Sequence, residues 1–162
     1  MQRGQVEVRA RSPGQDTITR FSKLAGTIDF DPDDVKSARA ELTLDMRQFD
    51  AGDRLKNWKL KTDLEPDSYP TATFILARFQ DIHEVTAGQF TATAVGQLKH
   101  RDATPTIHVK GMASVDRRSI DARVSFELDV RELGIFPPRF LMFRVEDVVL
   151  VQVALFAVIA ER

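Results

Sequence analysis

The run DAGDRLKNWKLKTDLEPDSYPTATFILARF, Asp50 to Phe79, constrains the fold more than any other part of this chain. It places a short polar helix directly ahead of a strand. Asp50 suits an N-cap, and Asp53 puts a carboxylate in the first turn, where the helix dipole favours it. Leu55, Trp58 and Leu64 recur at helical spacing among Arg54, Lys56, Lys59 and Lys61. Pro70 biases Tyr69 toward an extended backbone, so the helix stops before it. Thr71, Thr73 and Phe74 then open a strand of β-formers. The expected helix covers residues 51–64. One such helix among long strands is uncommon in an all-β chain, and it narrows the choice of fold.

Alternation marks the strands. Ala38, Ala40, Leu42, Leu44 and Met46 share one face, opposite Arg39, Glu41, Thr43 and Asp45. Ile120, Ala122, Val124, Phe126, Leu128 and Val130 oppose Asp121, Arg123, Ser125, Glu127 and Asp129. Phe90, Ala92, Ala94, Gly96 and Leu98 oppose Thr91, Thr93, Val95, Gln97 and Lys99. One apolar and one polar face per strand describes an antiparallel sheet wetted on one side. Weaker segments at 6–10, 18–30, 72–79, 107–115 and 145–157 bring the expected total to eight strands. Strands this long and this widely spaced favour an eight-stranded antiparallel barrel over a sandwich.

The size of the inward residues bears on function. Ala38, Ala40, Ala92, Ala94, Gly96, Ala113 and Ala122 are small, whereas a solid barrel would place Leu, Ile and Phe there. Beside Leu42, Leu44, Phe74, Leu76, Val124, Phe126 and Leu128 they would leave an apolar void. The candidate lumen is therefore Ala38, Ala40, Leu42, Leu44, Phe74, Leu76, Ala92, Ala94, Val124, Phe126 and Leu128. The competing reading is that the alanines only relieve crowding at bends or beneath the helix.

The charges exclude some functions. With Lys+Arg 23 against Asp+Glu 24 in 162 residues, and no like-charge block, nucleic-acid binding has little electrostatic support. There is no cysteine, so thiol chemistry and thiolate metal sites are excluded. His83, His100 and His108 form no ligand-spaced cluster with acids, and no nucleophile or phosphate-loop motif is present. The expectation is a non-enzyme with no metal and no cofactor. MQRGQVEVRARSPG has no apolar signal-peptide core, which reads as cytoplasmic. The apolar run VVLVQVALFAVIA, Val148 to Ala160, is too short for a spanning helix and reads as a strand buried on both sides.

Four pieces appear in a recognisable order. They are GTIDFDPDD from Gly26, the segment from Asp53 and Arg54 through Asp67 and YPTATF, VGQLKHRDATPTIHV from Val95, and DVRELGIF followed by VEDVVLVQVALFA. Together they resemble the YceI-like family over about residues 18–157. The resemblance implies a single lipocalin-like barrel domain spanning 1–162 that holds an isoprenoid lipid in its lumen. It also implies an exported location for many relatives, and it makes a homodimer a natural expectation. The segment GIFPPRFLMF, Gly134 to Phe143, departs from the family pattern. Trp58, Phe136, Phe140 and Phe143 are the expected cap of the barrel mouth. The basic helix face is either simply solvated or a rim for an anionic headgroup or transient membrane contact. The leading expectation is a carrier for a long apolar polyisoprenoid. The alternative is a non-catalytic interaction module, solid inside, that oligomerises through its 134–143 loop.

Overall fold

A computed structural model describes residues 3–11, 16–135 and 146–158. The strands are β1 Arg3–Ala10, β2 Thr17–Phe21, β3 Leu24–Asp31, β4 Asp34–Asp45, β5 Phe49–Asp50, β6 Thr71–Thr86, β7 Gln89–Lys99, β8 Thr106–Val115, β9 Ser119–Asp129 and β10 Val148–Val158. Helix α1, Arg54–Leu64, lies between β5 and β6. The strands form one 10-stranded sheet in the order β3-β4-β6-β7-β8-β9-β10-β1-β2-β5, and every pairing is antiparallel. The sheet curls into a half-barrel of lipocalin-like form.

The expected eight strands become ten for two local reasons. The segment 18–30 breaks at Ser22 and Lys23 into β2 and β3, and Phe49–Asp50 adds a short strand against Arg20 and Phe21. The break lets β3 leave β2 and pair with β4 instead, with the Asp45 N–H donating to the Lys23 carbonyl at 2.9 Å. As a result β3 and β5 are the sheet's edges. Across the gap β3 meets β1 through side-chain packing. A Cβ on Gly4 would lie 2.8 Å from Leu24 Cδ2, so the missing side chain permits that approach.

The alternation maps onto two faces as expected. Arg39, Glu41, Arg123 and Glu127 are exposed. The concave face, with Met46 after β4 and Leu64 of α1, carries the core, centred on Val6, Phe21, Ile107, Val109, Leu128, Val149 and Val151. Thr93 and Val95, expected on the wet face, are buried instead. Each has one long basic cross-strand partner, Arg78 beside Val95 and Lys110 beside Thr93, with His108 and Asp81 on the other side. The aliphatic stem of an arginine or lysine shields a small neighbouring side chain. The β10 strand is also corrected. Val149, Val151, Leu155 and Ala157 are buried, but Val148, Gln152, Ala154 and Val158 are exposed, so only one side is covered. On the other side the Arg3 guanidinium lies 5.2 Å from the Phe156 ring centre and leaves these four residues exposed.

Helix α1 begins at Arg54, three residues later than the expected start at 51. Asp53 is the N-cap, its carboxylate accepting from the Lys56 N–H at 2.8 Å. Asp50 instead accepts from the Gly52 N–H at 2.9 Å, which holds its carboxyl below the usual range. At the other end Glu65 takes a left-handed conformation and its N–H returns to the Lys61 carbonyl. Leu64 is buried, as expected, but Leu55 and Trp58 are 62% and 61% exposed. No helix among the described residues is long and apolar enough to cross a membrane.

Candidate functional site

The concave face of the sheet and one side of α1 enclose a cavity of about 380 Å³. Its wall is almost wholly hydrocarbon. β1 and β2 contribute Val6, Val8 and Phe21, β8 contributes Ile107 and Val109, and β10 contributes Val149, Val151 and Val153. A cavity of about 150 Å³ with such a lining already holds benzene. This one has room for a larger apolar body.

Among the candidate lumen residues, Leu42, Leu44, Phe74, Val124, Phe126 and Leu128 line the cavity. Ala38, Ala40, Leu76, Ala92 and Ala94 do not. They share the same strand faces, but Ala94 packs against the core and the other four lie beyond the wall. The ladder explains the small residues. Ala40 stands opposite Ile28, Gly96 opposite Leu76, Ala94 opposite Phe79 and Ala92 opposite Ile82. Each small residue accommodates a large neighbour, which is the crowding-relief reading rather than the space-making one. At Gly96 the constraint is tight, because an added Cβ would run into the Phe74 ring. Trp58, expected as part of a cap, faces solvent. Phe136, Phe140 and Phe143 lie outside the described residues. Ile135, the last described residue before them, is buried and lines the cavity.

Much of the wall was not singled out from the sequence. Val6 and Val8 alternate with Glu7 and Arg9, and Val149, Val151 and Val153 alternate with Leu150, Gln152 and Ala154. In each strand a polar residue, Glu7 or Gln152, marks the outer parity and would have located the inner one.

Half of the polar lining residues come from α1. Lys56, Lys59, Leu60, Asp63 and Leu64 fall at helical spacing on one side and all reach the cavity, joined by Thr17, Thr19 and Glu146. Burial raises the Asp63 carboxyl to about 6, against the pull of Lys59. The helix is fastened from its C-terminal end by Arg101, whose Nη2 donates to the Asp63 and Leu64 carbonyls at 2.9 and 3.1 Å. Its Nη1 donates to the Gly134 carbonyl at 3.3 Å, and its guanidinium lies 4.4 Å from the Tyr69 ring centre. His100, next in the chain, is 2% exposed, with Nδ1 3.0 Å from the Thr71 carbonyl. Burial pushes its pKa down, the bond to Thr71 opposes this and the Arg101 charge adds to it. The neutral imidazole donates from Nδ1. His108 is exposed, opposite Val95 and well along β7 from His100, so the two histidines do not meet. Among the described residues no group of three or more acids and histidines is placed to hold a metal ion.

A curled antiparallel sheet with one helix against its hollow face is the architecture of the lipocalin-like half-barrels. A family model described as the YceI-like domain matches residues 3–157, and the chain belongs to that family. BcnA of Burkholderia cenocepacia superposes with a TM-score of 0.78 at 20% identity, covering 95% of this chain and 96% of that one. A polyisoprenoid binding domain from Saccharophagus degradans, implicated in plant cell wall breakdown, gives 0.70 at 13% identity over 94% and 92% of the two chains. The Campylobacter jejuni YCEI protein gives 0.66 at 14% identity over 88% and 85%. At these identities the likeness is one of fold. No curated protein sequence matches the chain.

Proposed function

We propose that this protein is a non-catalytic carrier that binds a long apolar lipid of the polyisoprenoid class in the cavity beside α1. The observation that carries the reading is the cavity itself, about 380 Å³ walled by Val, Leu, Ile and Phe side chains. That wall gains about 25 cal/mol for each Å² of hydrocarbon it removes from water, before the cost of association. Lys56, Lys59 and Asp63 lie together on α1, so a ligand with an apolar tail and a small polar end matches the distribution. The Saccharophagus degradans relative, a polyisoprenoid binding domain of the same fold, supports the choice of lipid class.

Organic extraction of the purified protein followed by mass spectrometry tests this. A lipid of repeating isoprenoid mass at close to one per chain is the expected result. A clean extract, together with no uptake of added polyprenol, would overturn it. The cavity weighs against the second reading, an interaction module with a solid interior that oligomerises through residues 134–143.

A further inference from the structure

We propose that the outward face of α1 docks this protein onto the surface of an anionic lipid bilayer. In purpose the proposal rests on the carrier reading, since docking there brings the cavity to the lipid it would collect. Its evidence is separate. Exposure divides α1 cleanly: Arg54, Leu55, Trp58, Lys61 and Thr62 are exposed, whereas Lys56, Lys59, Leu60, Asp63 and Leu64 line the cavity. The exposed set falls at i, i+1, i+4, i+7 and i+8, one stripe of a helix. Within the helix it carries two large apolar side chains, Leu55 at 62% and Trp58 at 61% exposure, and two cations. The exposed carboxylates of Asp53 and Glu65 stand only at the two caps, Asp53 accepting from the Lys56 N–H and Glu65 beside Arg101.

The chemistry of that stripe selects the partner. An indole ring with an apolar body and one N–H donor settles at the headgroup level of a bilayer, and leucine beside it reaches the acyl boundary. Arg54 and Lys61 flank the pair, and each basic side chain near an anionic surface strengthens binding about fivefold. A protein partner fits less well. A stable protein interface covers about 800 Å² on each side, and a helix of 11 residues with two apolar anchors cannot supply that alone. A bilayer needs only a few anchors. With α1 lying flat, one helix diameter, about 10 Å, separates the membrane surface from the cavity.

Trp58 is the only tryptophan, so its emission reports this face alone. Titration with vesicles of phosphatidylglycerol and phosphatidylcholine should shift the emission to the blue and carry the protein down on sedimentation. Phosphatidylcholine alone should do neither, and added salt should reverse the effect. Arg54→Gln and Lys61→Gln should each weaken sedimentation about fivefold. Leu55→Ser should reduce the blue shift, with melting temperatures unchanged because all three sites are exposed. Unchanged emission in anionic vesicles at low salt, or binding indifferent to the double Arg54→Gln, Lys61→Gln change, overturns the proposal. Extraction of the same preparations separates the two readings. Lipid in the cavity without vesicle binding removes the docking face alone. Vesicle binding with an empty cavity keeps the docking face and removes the carrier reading.

Discussion

Arg101 contributes nothing to the cavity wall, yet it holds the helix that forms one side of it. Its guanidinium satisfies carbonyls at the end of α1 and at Gly134, and it rests on the Tyr69 ring. Only a planar fork of donors spans those positions, so lysine is a poor replacement. Arg101→Ala should cost about 2–3 kcal/mol, and Arg101→Lys should recover less than half of it, read from the midpoint of urea unfolding. Asp63 is the opposite case, a residue that opposes folding at neutral pH. Its folded pKa of about 6 lies above the 3.8 of an ordinary aspartate, so the native state holds the proton more tightly than the unfolded chain. Stability is therefore lost as pH rises through that window, and the loss is complete above it. Asp63→Asn should match the wild type at pH 4 and exceed it at pH 8 by about 1 kcal/mol, a figure discounted for the solvent reaching this half-buried group. Thermal melts across that range check the sign.

At the scale of elements, position was easier to read than orientation. Pro70 ended the helix and the aspartates began it, which is why α1 could be found from sequence. Its faces could not be. Apolar spacing pointed to Leu55 and Trp58 as the buried side, but the inner face is built partly from Lys56, Lys59 and Asp63, which line the cavity. A rule that turns apolar residues inward fails here, with Leu55 and Trp58 exposed and charged residues on the inner side. Strand parity, in contrast, was legible wherever charges alternated, as at Arg39 and Glu41. The location of the void was not, because it depends on which residues stand opposite in the ladder. Two substitutions separate a wall position from a packed one. Ala72 lines the cavity opposite Leu44, so Ala72→Phe should displace lipid and leave the apo melting temperature unchanged or raised. Ala94 lies between Phe79 and Val109 against the core, so Ala94→Phe should strain the fold by about 1–3 kcal/mol whether or not lipid is present.

For the whole molecule the family and the all-β class were within reach of the sequence, and the manner of closure was not. Ser22 and Lys23 carry no glycine or proline signal, yet the chain breaks there, and the break leaves β3 as an edge that meets β1 by packing alone. A half-barrel so built has side chains, not a continuous ladder, between β1 and β3. A ligand in the cavity touches both sides of that gap at once, Val6 and Val8 on β1, Leu24 on β3, Leu42 and Leu44 on β4, and Leu60 on α1. Occupancy should therefore hold the structure together as well as fill it. At about 100 times its dissociation constant, a ligand that binds only the folded state adds about 2.7 kcal/mol. For a domain of this size that corresponds to a rise of roughly 5–10 °C in melting temperature. Protein freed of lipid by mild detergent exchange should melt lower by that much, and added polyprenol should restore it. Hydrogen exchange should localise the change. Amides of α1, β1 and β3 should lose protection on delipidation, whereas those between β7 and β8, paired from Gln89 to Gln97, should hold theirs. Equal loss across all strands would mean that the ligand stabilises the molecule without bridging its open side.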